Sequence, residues 1–222
     1  MMHRRPRRGR TPPGASPYRL VVVAASAAGI EALSELLSAL PTGFPAAVAI
    51  SQRLPAVPPS LLSEILTRRT RLKVRTAEAL DTIRPGTVYV GPPDLHVALR
   101  DGVCNLAGGT RLRDVLSSPN PLFASAAEEF GGRLIAVVLA GGDHDATDGV
   151  QCVRACGGIV IAQDEATSAC LGRPQSAIEA SRVDLLLSLP EIAPALVDLV
   201  TGRKDLRALE LEHASPERKA SR

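Results

Sequence analysis

Aromatic side chains are scarce in this chain: they make up 2% of its 222 residues, and tryptophan is absent. Proteins that bind nucleic-acid bases or sugars often use aromatic rings as stacking platforms. The sequence offers little material for such binding, so no nucleic-acid partner is expected. Long apolar runs are also lacking. Because no stretch of about 18 apolar residues occurs, we predict no membrane span.

Acidic residues are missing from residues 1–18, which hold five arginines, whereas residues 203–222 hold six basic and four acidic groups. The middle, residues 19–202, holds 15 basic and 19 acidic groups, so a basic face for DNA is not expected there. We predict a basic disordered tail (1–18), one domain (19–202) and a charged tail (203–222), mobile beyond about residue 205. The alternative for the N-terminal arginines is a targeting peptide, or a tether to nucleic acid or to an anionic membrane. A Pro- and Gly-containing stretch follows them instead of an apolar one, so no secretory signal is predicted and a cytoplasmic location is expected.

Cysteine is limited to four residues, and none of them has Cys-x-x-Cys spacing. Reduced thiols are therefore expected. Cys152 and Cys156 lie four apart on a predicted helix without a nearby histidine pair, and Asp143 with Asp145 supplies too few ligands for a hard cation. We expect neither a metal nor a cofactor.

Short apolar segments alternate with helical patterns through the middle of the chain. We predict strands at residues 19–25, 46–51, 72–76, 87–90, 133–139, 158–162 and 184–187, and helices at residues 28–40, 59–67, 121–130, 147–155, 174–181 and 190–201. Apolar strands that alternate with helices indicate a parallel sheet covered on both faces. The predicted fold is α/β, a doubly wound, mainly parallel sheet with helices on both faces. A small antiparallel hairpin insertion, turning at Asp101-Gly102, is expected near one sheet edge.

Residues that directly follow the predicted strands are the first candidates for function, because open parallel sheets bind ligands at the carboxyl ends of their strands. Ser26 follows the first strand, Arg53 follows the second, and Asp145 follows the strand at 133–139 after a glycine-rich turn. A serine at a strand-to-helix turn is exposed and faces the positive end of the helix. The alternative is that Ser26 only caps this helix.

The residues around these positions belong to several motifs. Ser26 lies among small residues, and Gln52 and Pro55 flank position 53. Further motifs are Tyr89-Val90-Gly91-Pro92 with Asp94 and His96, Leu122-Phe123, Leu139 with Gly141 and Gly149, Ile161-Ala162-Gln163-Asp164-Glu165-Ala166, and Gly172 with Pro174. Over about residues 20–200 the chain resembles the CheB-type chemotaxis protein-glutamate methylesterases.

The resemblance implies a doubly wound domain that hydrolyses glutamate methyl esters on chemoreceptors with a Ser-His-Asp triad. Ser26 matches the nucleophile and Asp145 matches the acid; we assign the oxyanion-binding N–H groups to Ala27 and Gly142. The implied partners are methyl-accepting chemotaxis receptors or other signalling proteins. Family members commonly carry a receiver domain ahead of the catalytic one, and this sequence shows no match to it. A stand-alone catalytic domain is therefore expected.

Arginine stands at position 53, where the family has its triad histidine. The base must accept the serine proton near neutral pH, and a guanidinium, which stays protonated at that pH, offers donors only. Arg53 could instead form an ion pair with Asp145. We therefore predict a carboxylic-ester hydrolase with impaired catalysis. The alternative is a non-catalytic pseudoenzyme that binds a receptor helix or signalling partner.

Two other histidines are candidates for the base. His144 precedes Asp145, and adjacent loop residues rarely present both side chains to one serine. His96 matches a histidine that the family has beside its triad one, so it is an auxiliary candidate. A hydrolase using either histidine is the third alternative. Substrate recognition is also expected to differ, because Leu116-Ser117-Ser118 and Asn120 stand where the family has Arg-Pro-Ser and an aspartate. The chain also departs from the family pattern at Gly142, Asp143 and Ala146 in the acid loop, and at Arg173.

Overall fold

The computed structural model describes residues 20–25, 29–52, 59–92, 95–107, 118–139, 146–167 and 183–213. Strands and helices alternate through most of these residues. In chain order they are β1 (Leu20–Ala25), α1 (Ile30–Ala39), β2 (Ala47–Gln52), α2 (Pro59–Arg69), β3 (Lys73–Thr76), β4 (Thr87–Val90), β5 (His96–Arg100), β6 (Val103–Ala107), α3 (Asn120–Phe130), β7 (Leu134–Val138), α4 (Thr147–Ala155), β8 (Ile159–Gln163), β9 (Leu185–Leu187), α5 (Leu189–Thr201) and α6 (Leu206–Glu212).

Seven strands form one parallel sheet in the order β3-β4-β2-β1-β7-β8-β9. β1 lies at its centre, and every residue of β1 is buried. A strand that is covered on both faces can be apolar throughout, which explains its Val- and Ala-rich sequence. The predicted doubly wound α/β fold is confirmed.

Helices cover the sheet in two layers. Successive side chains of a strand point to opposite faces. Val21 and Val23 therefore pack with α1, α2, α5 and α6, which we call the first layer. Val22 packs on the opposite face with α3, α4 and the β5–β6 hairpin, which we call the second layer.

The hairpin turns at Asp101-Gly102, as predicted, and both residues have positive φ, 53° and 74°. The two strands form a separate antiparallel sheet and do not extend the edge of the main one. Buried side chains of Leu99 and Cys104 join the second-layer core, which explains why the hairpin lies across α3.

The chain continues as a helix where a mobile tail was expected. Asp205 caps α6 by accepting from the Ala208 N–H at 2.8 Å. Leu209 is 1% exposed and joins the first-layer core. The sequence predicts mobility beyond about residue 205, whereas the structure describes residues 206–212 as a helix that docks on the domain through an apolar side chain.

Several predictions fall outside the described residues, namely the helix at 174–181, the tail at 1–18 and the end of the chain after residue 213. The domain boundaries remain predictions. Within the described ranges no helix is both long and apolar enough to cross a bilayer.

Candidate functional site

The carboxyl ends of β2, β1 and β7 lie side by side at the centre of the sheet. Ala25, the last residue of β1, is the register partner of Gln52, the last residue of β2. On the other side Ala24 is the partner of Val138, and the Leu139 N–H donates to the Ala24 carbonyl oxygen at 3.0 Å. Three neighbouring strands therefore end at one level of the same sheet edge.

The predicted catalytic residues come next in the chain after these three strand ends. They are Ser26 and Ala27 after β1, Arg53 after β2, and Gly142, His144 and Asp145 after β7. All six lie outside the described residues. The structure describes the strand ends that lead to them, and the placement of the six residues stays a prediction.

The direction of the strand order changes between β1 and β7. From β1 the chain runs through α1 of the first layer to β2, whereas from β7 it runs through α4 of the second layer to β8. Open α/β sheets bind ligands in the crevice outside the carboxyl ends of the strands at such a switch point. The chain leaves β1 and β7 on the two sides of this crevice, which makes it the candidate active site.

His96 is the one predicted site residue that the structure describes. It is half-buried at the start of β5. Its neighbour Val97 packs against Gly91, which follows β4: a Cβ added to Gly91 would lie 3.2 Å from Val97 Cγ2 and 3.3 Å from the Ile50 carbonyl oxygen. This close approach explains the glycine in the Tyr89-Val90-Gly91-Pro92 motif. It brings the start of β5 beside the carboxyl ends of β4 and β2.

Family comparison agrees with this geometry. The family model described as CheB methylesterase matches residues 21–196, which include nearly the whole sheet and the helices of both layers except α6 and the end of α5. The chain belongs to the CheB methylesterase family. The match includes the three strand ends that lead to Ser26, Arg53 and Asp145.

Relatives of this CheB-family chain are named as protein-glutamate methylesterases. A protein-glutamate methylesterase/protein-glutamine glutaminase 2 of Anaeromyxobacter dehalogenans (strain 2CP-C) is 37% identical over 195 residues, which are 88% of this chain and 57% of the relative. Protein-glutamate methylesterase FrzG of Myxococcus xanthus is 37% identical over 87% of this chain and 58% of its own length. A putative enzyme of the same kind from Leptospira interrogans (serovar Lai, strain 56601) is 34% identical over 82% of this chain and 95% of its own length.

The crystal structure of the CheB methylesterase catalytic domain of Thermotoga maritima has the same fold, with a TM-score of 0.76 and 31% identity. The similarity covers 82% of this chain and 99% of the Thermotoga chain. By contrast, the chain spans about half the length of the first curated relatives that it matches.

The β5–β6 hairpin of this CheB-family domain is held to α3 by polar contacts that local sequence patterns did not reveal. The Leu99 N–H donates to Ser125 Oγ at 3.0 Å. At the turn, the Glu129 carboxylate accepts from the N–H groups of Asp101 and Gly102, each at 3.1 Å. These contacts of Ser125 and Glu129 fix the hairpin whose first strand begins with His96.

Asn120 connects the two helices of the second layer. Its Oδ1 accepts from the Gly149 N–H at 2.8 Å. The backbones are close there, since a Cβ on Gly149 would lie 2.7 Å from Phe123 Cβ. The sequence showed Asn120 as a departure from the family's aspartate, and the structure shows that the asparagine oxygen accepts a hydrogen bond at the start of α4. An aspartate carboxylate could also accept this bond.

Polar residues at the end of β8 organise the turn that follows it. Gln163 is buried, and its Nε2 donates to the Thr167 carbonyl oxygen at 2.9 Å. Thr167 in turn donates through its N–H and Oγ to Asp164 Oδ1, at 3.0 and 2.6 Å, and accepts from the Leu189 N–H at 3.0 Å. The Gln163-Asp164 part of the family-like motif is therefore structural here, and Thr167 is a partner that the sequence analysis missed.

The described cysteines are free thiols. Burial raises the pKa of the Cys104 thiol to about 11, with a further contribution from Asp81, so this thiol stays protonated near neutral pH. Burial and the neighbouring Cys152 also raise the pKa of Cys156. The raised pKa values make the Cys104 and Cys156 thiols poor nucleophiles, because the thiolate is the reactive form. Within the described part of the chain no group of three or more His, Cys, Asp or Glu side chains is placed to hold a metal ion.

Proposed function

We propose that this chain is a protein-glutamate methylesterase domain of chemotaxis signalling in which hydrolysis at Ser26 is impaired by Arg53. The observation that carries the proposal is the register of β1 and β2. Ala25 and Gln52 are partners, and Ser26 and Arg53 are the next residues after them. Position 53 is thus suited to act on the Ser26 hydroxyl, and the side chain there is a guanidinium.

Ester hydrolysis at this site would proceed in two steps. Ser26 Oγ attacks the ester carbonyl carbon, its proton passes to a base and then to the departing methanol, and an acyl-enzyme forms. Water then hydrolyses the acyl-enzyme, which releases the glutamate carboxylate and restores the serine. The N–H groups of Ala27 and Gly142 would stabilise the oxyanion in both steps.

Arg53 would interrupt the proton transfers in both steps of this reaction. A guanidinium remains protonated at all physiological pH values and has no acceptor atom. Without the base, an enzyme of this kind keeps only the acceleration of about 10³ to 10⁴ over water that the oxyanion hole and substrate binding supply. We therefore expect slow turnover. Methyl-accepting receptors are the proposed substrates because the relatives' names specify protein-glutamate methylesterases.

A binding module without turnover is the second candidate, and the same arginine favours it. A guanidinium binds a carboxylate through two parallel hydrogen bonds. Arg53 would then pair with Asp145 or hold a glutamate side chain of a receptor helix or of another signalling protein. The two candidates differ in whether Ser26 is an activated nucleophile.

A serine-directed fluorophosphonate probe tests this difference, with mass spectrometry to locate the label. We expect slow labelling of Ser26 that is still faster than in the denatured protein and absent from Ser26→Ala. A rate no higher than in the denatured protein would favour the binding module. A rate equal to that of the Thermotoga maritima catalytic domain would contradict impairment.

A further inference from the structure

A basic segment occupies the β3 edge of the sheet. Residues 68–84 contain six basic and two acidic groups, and no acid occurs between Arg68 and Arg75. Residues 19–202 as a whole carry 15 basic and 19 acidic groups, so the rest of the domain is strongly acidic. A basic region on an acidic body attracts anions to one place on the surface.

Side chains of β3 and β4 contribute to a cavity on the second-layer face of this edge. Val74 packs against the first-layer core, and alternation directs Lys73 and Arg75 to the opposite face, where Tyr89 also lies. The cavity has a volume of about 320 Å³ and is lined by Lys73, Arg75, Arg84, Asp81, Thr82 and Thr87. This is the lower end of the range of small-molecule sites, about 300 to 1,000 Å³.

The loop that closes the cavity is held by hydrogen bonds. The Tyr89 hydroxyl donates to the Thr82 carbonyl oxygen at 2.8 Å and accepts from the Arg84 N–H at 3.1 Å. The Cys104 N–H donates to the Asp81 carbonyl oxygen at 2.8 Å, which ties the loop to β6. A wall fixed in this way is preorganised for a ligand, because little order is lost when the ligand binds.

Leu80 has an unusual conformation in this loop. Its φ is 67°, in the left-handed region that non-glycine residues rarely adopt, and its side chain is 74% exposed at the cavity. Backbone strain of this kind persists where the surrounding structure enforces it, often at ligand sites. The result is an apolar side chain next to a group of cations.

Two of the cations lack a carboxylate partner in the described part of the chain. Arg75 pairs with Asp81 at 3.0 Å, which orients its guanidinium, whereas the salt bridges of the described residues do not involve Lys73 or Arg84. Charged side chains on an edge strand also discourage strand pairing. That role requires neither a cavity nor an arginine from a fixed loop.

We propose that this cavity binds a small phosphate-bearing molecule. The phosphate lies between Lys73 and Arg84, where it balances the two uncompensated charges and accepts from the Thr82 and Thr87 hydroxyls. The apolar part of the molecule lies against Leu80. β3 is three strands away from β1, or about 14 Å at the usual strand spacing. The site is therefore separate from the switch-point crevice and does not depend on the function proposed for Ser26.

Isothermal titration calorimetry on the full chain tests this proposal, with ADP, pyrophosphate, inorganic phosphate and, as a carboxylate comparison, citrate. We expect saturable binding of ADP and pyrophosphate, and weaker binding of citrate. Lys73→Gln/Arg84→Gln should weaken binding by about tenfold or more, since it removes two charge-assisted contacts. Arg68→Gln/Arg69→Gln, at the end of α2 and outside the cavity, changes the net charge equally and should weaken binding by less than about threefold.

Amide NMR on the unmodified protein gives a second measurement that needs no variant. ADP should shift the resonances of residues 80–84 and leave those of Gly91 and His96 unchanged. The proposal would be overturned by shifts centred on Gly91 and His96 instead. It would also be overturned if neither ADP nor pyrophosphate bound saturably, or if citrate bound as tightly as pyrophosphate. Equal losses in the two double variants would also overturn it, because they would indicate general attraction to a basic surface.

Discussion

The two helical layers of this domain cover the same sheet in different ways. The first layer packs with large aliphatic side chains, such as Leu33, Leu36 and Leu37 of α1. The second layer has smaller residues, including Ala126 and Ala127 of α3, and its elements are joined by specific hydrogen bonds from Asn120, Ser125 and Glu129. The first layer is therefore stabilised by the apolar area that it buries, and the second by close backbone approach together with polar contacts.

The residues of the proposed triad lie in segments that lead into helices of both layers. Ser26 and Arg53 precede the first-layer helices α1 and α2, and Asp145 precedes the second-layer helix α4. Changes in the first layer should thus alter the nucleophile and base positions, and changes in the second should alter the position of the acid.

Arg53→His should give the largest effect. The imidazole restores a proton acceptor between a retained serine and a retained carboxylate, and one of its nitrogens can donate to Asp145 while the other accepts from Ser26. We expect a gain in esterase rate of about 10² to 10⁴-fold, the range of general-base catalysis. p-Nitrophenyl acetate is the suitable substrate, because it avoids the altered recognition residues such as Asn120.

Arg53→His/Ser26→Ala is the control for this experiment, and it should lose the whole gain. If the folded Arg53→His protein hydrolyses the ester no faster than the unmodified chain, the site differs from its relatives in more than the base. An equal rate in the double variant would show that Ser26 is not the nucleophile.

Leu37→Ala should cause a large loss of stability in the first layer. Leu37 is fully buried between α1 and the sheet, and removing a buried leucine costs about 2 to 5 kcal/mol in free energy of unfolding. Leu211→Ala is the matched control, because Leu211 is 60% exposed and should change stability by less than about 0.5 kcal/mol. Chemical denaturation gives both values. Similar losses of free energy of unfolding in the two variants would contradict the conclusion that buried apolar area stabilises this layer.

The contrast between apolar packing and specific polar contacts also explains how much of the structure could be predicted from the sequence. Buried strands such as β1 and amphipathic helices such as α1 follow from apolar periodicity, so the fold and the strand ends could be predicted. The register of Ala25 with Gln52 and the contact of Glu129 with the hairpin turn join distant parts of the chain, and no local pattern encodes them.

The C-terminal helix α6 was missed for a different reason. Its segment is rich in charge, and a charge-rich segment predicts disorder. The signals present were Asp205 as an N-cap and an apolar pair, Leu206 and Leu209, three residues apart. One buried leucine is enough to dock a short helix on an existing core, which composition alone does not show.

Gly149→Ala should destabilise the second layer even though alanine is the better helix former. Its Cβ would lie 2.7 Å from Phe123 Cβ and 3.2 Å from Asn120 Cα, so α3 and α4 would have to move apart. Overpacking of this kind costs about 1 to 3 kcal/mol. Gly43→Ala is the matched control, because a Cβ there meets nothing within 4 Å. Thermal unfolding should show a loss for Gly149→Ala alone, and equal melting temperatures would mean that the second layer tolerates separation.

Ser188→Ala should have the smallest effect, because its polar contact lies within the start of one first-layer helix and does not join two elements. The Ser188 Oγ–H and N–H donate to Glu191 Oε2 at 2.6 and 2.9 Å, and these bonds hold the pKa of Glu191 below its ordinary value of 4.5. We expect a loss of about 1 kcal/mol near neutral pH. A lowered folded-state pKa stabilises the protein above the ordinary value, and this contribution is lost as the pH falls through the lowered one. The difference in free energy of unfolding between the unmodified protein and Ser188→Ala should therefore shrink in acid.

Ser38→Ala is the control, since Ser38 Oγ donates to a backbone carbonyl oxygen at 2.8 Å. Its effect on the free energy of unfolding should not depend on pH. Parallel pH profiles for the two variants in urea unfolding would contradict a role for the Glu191 carboxylate.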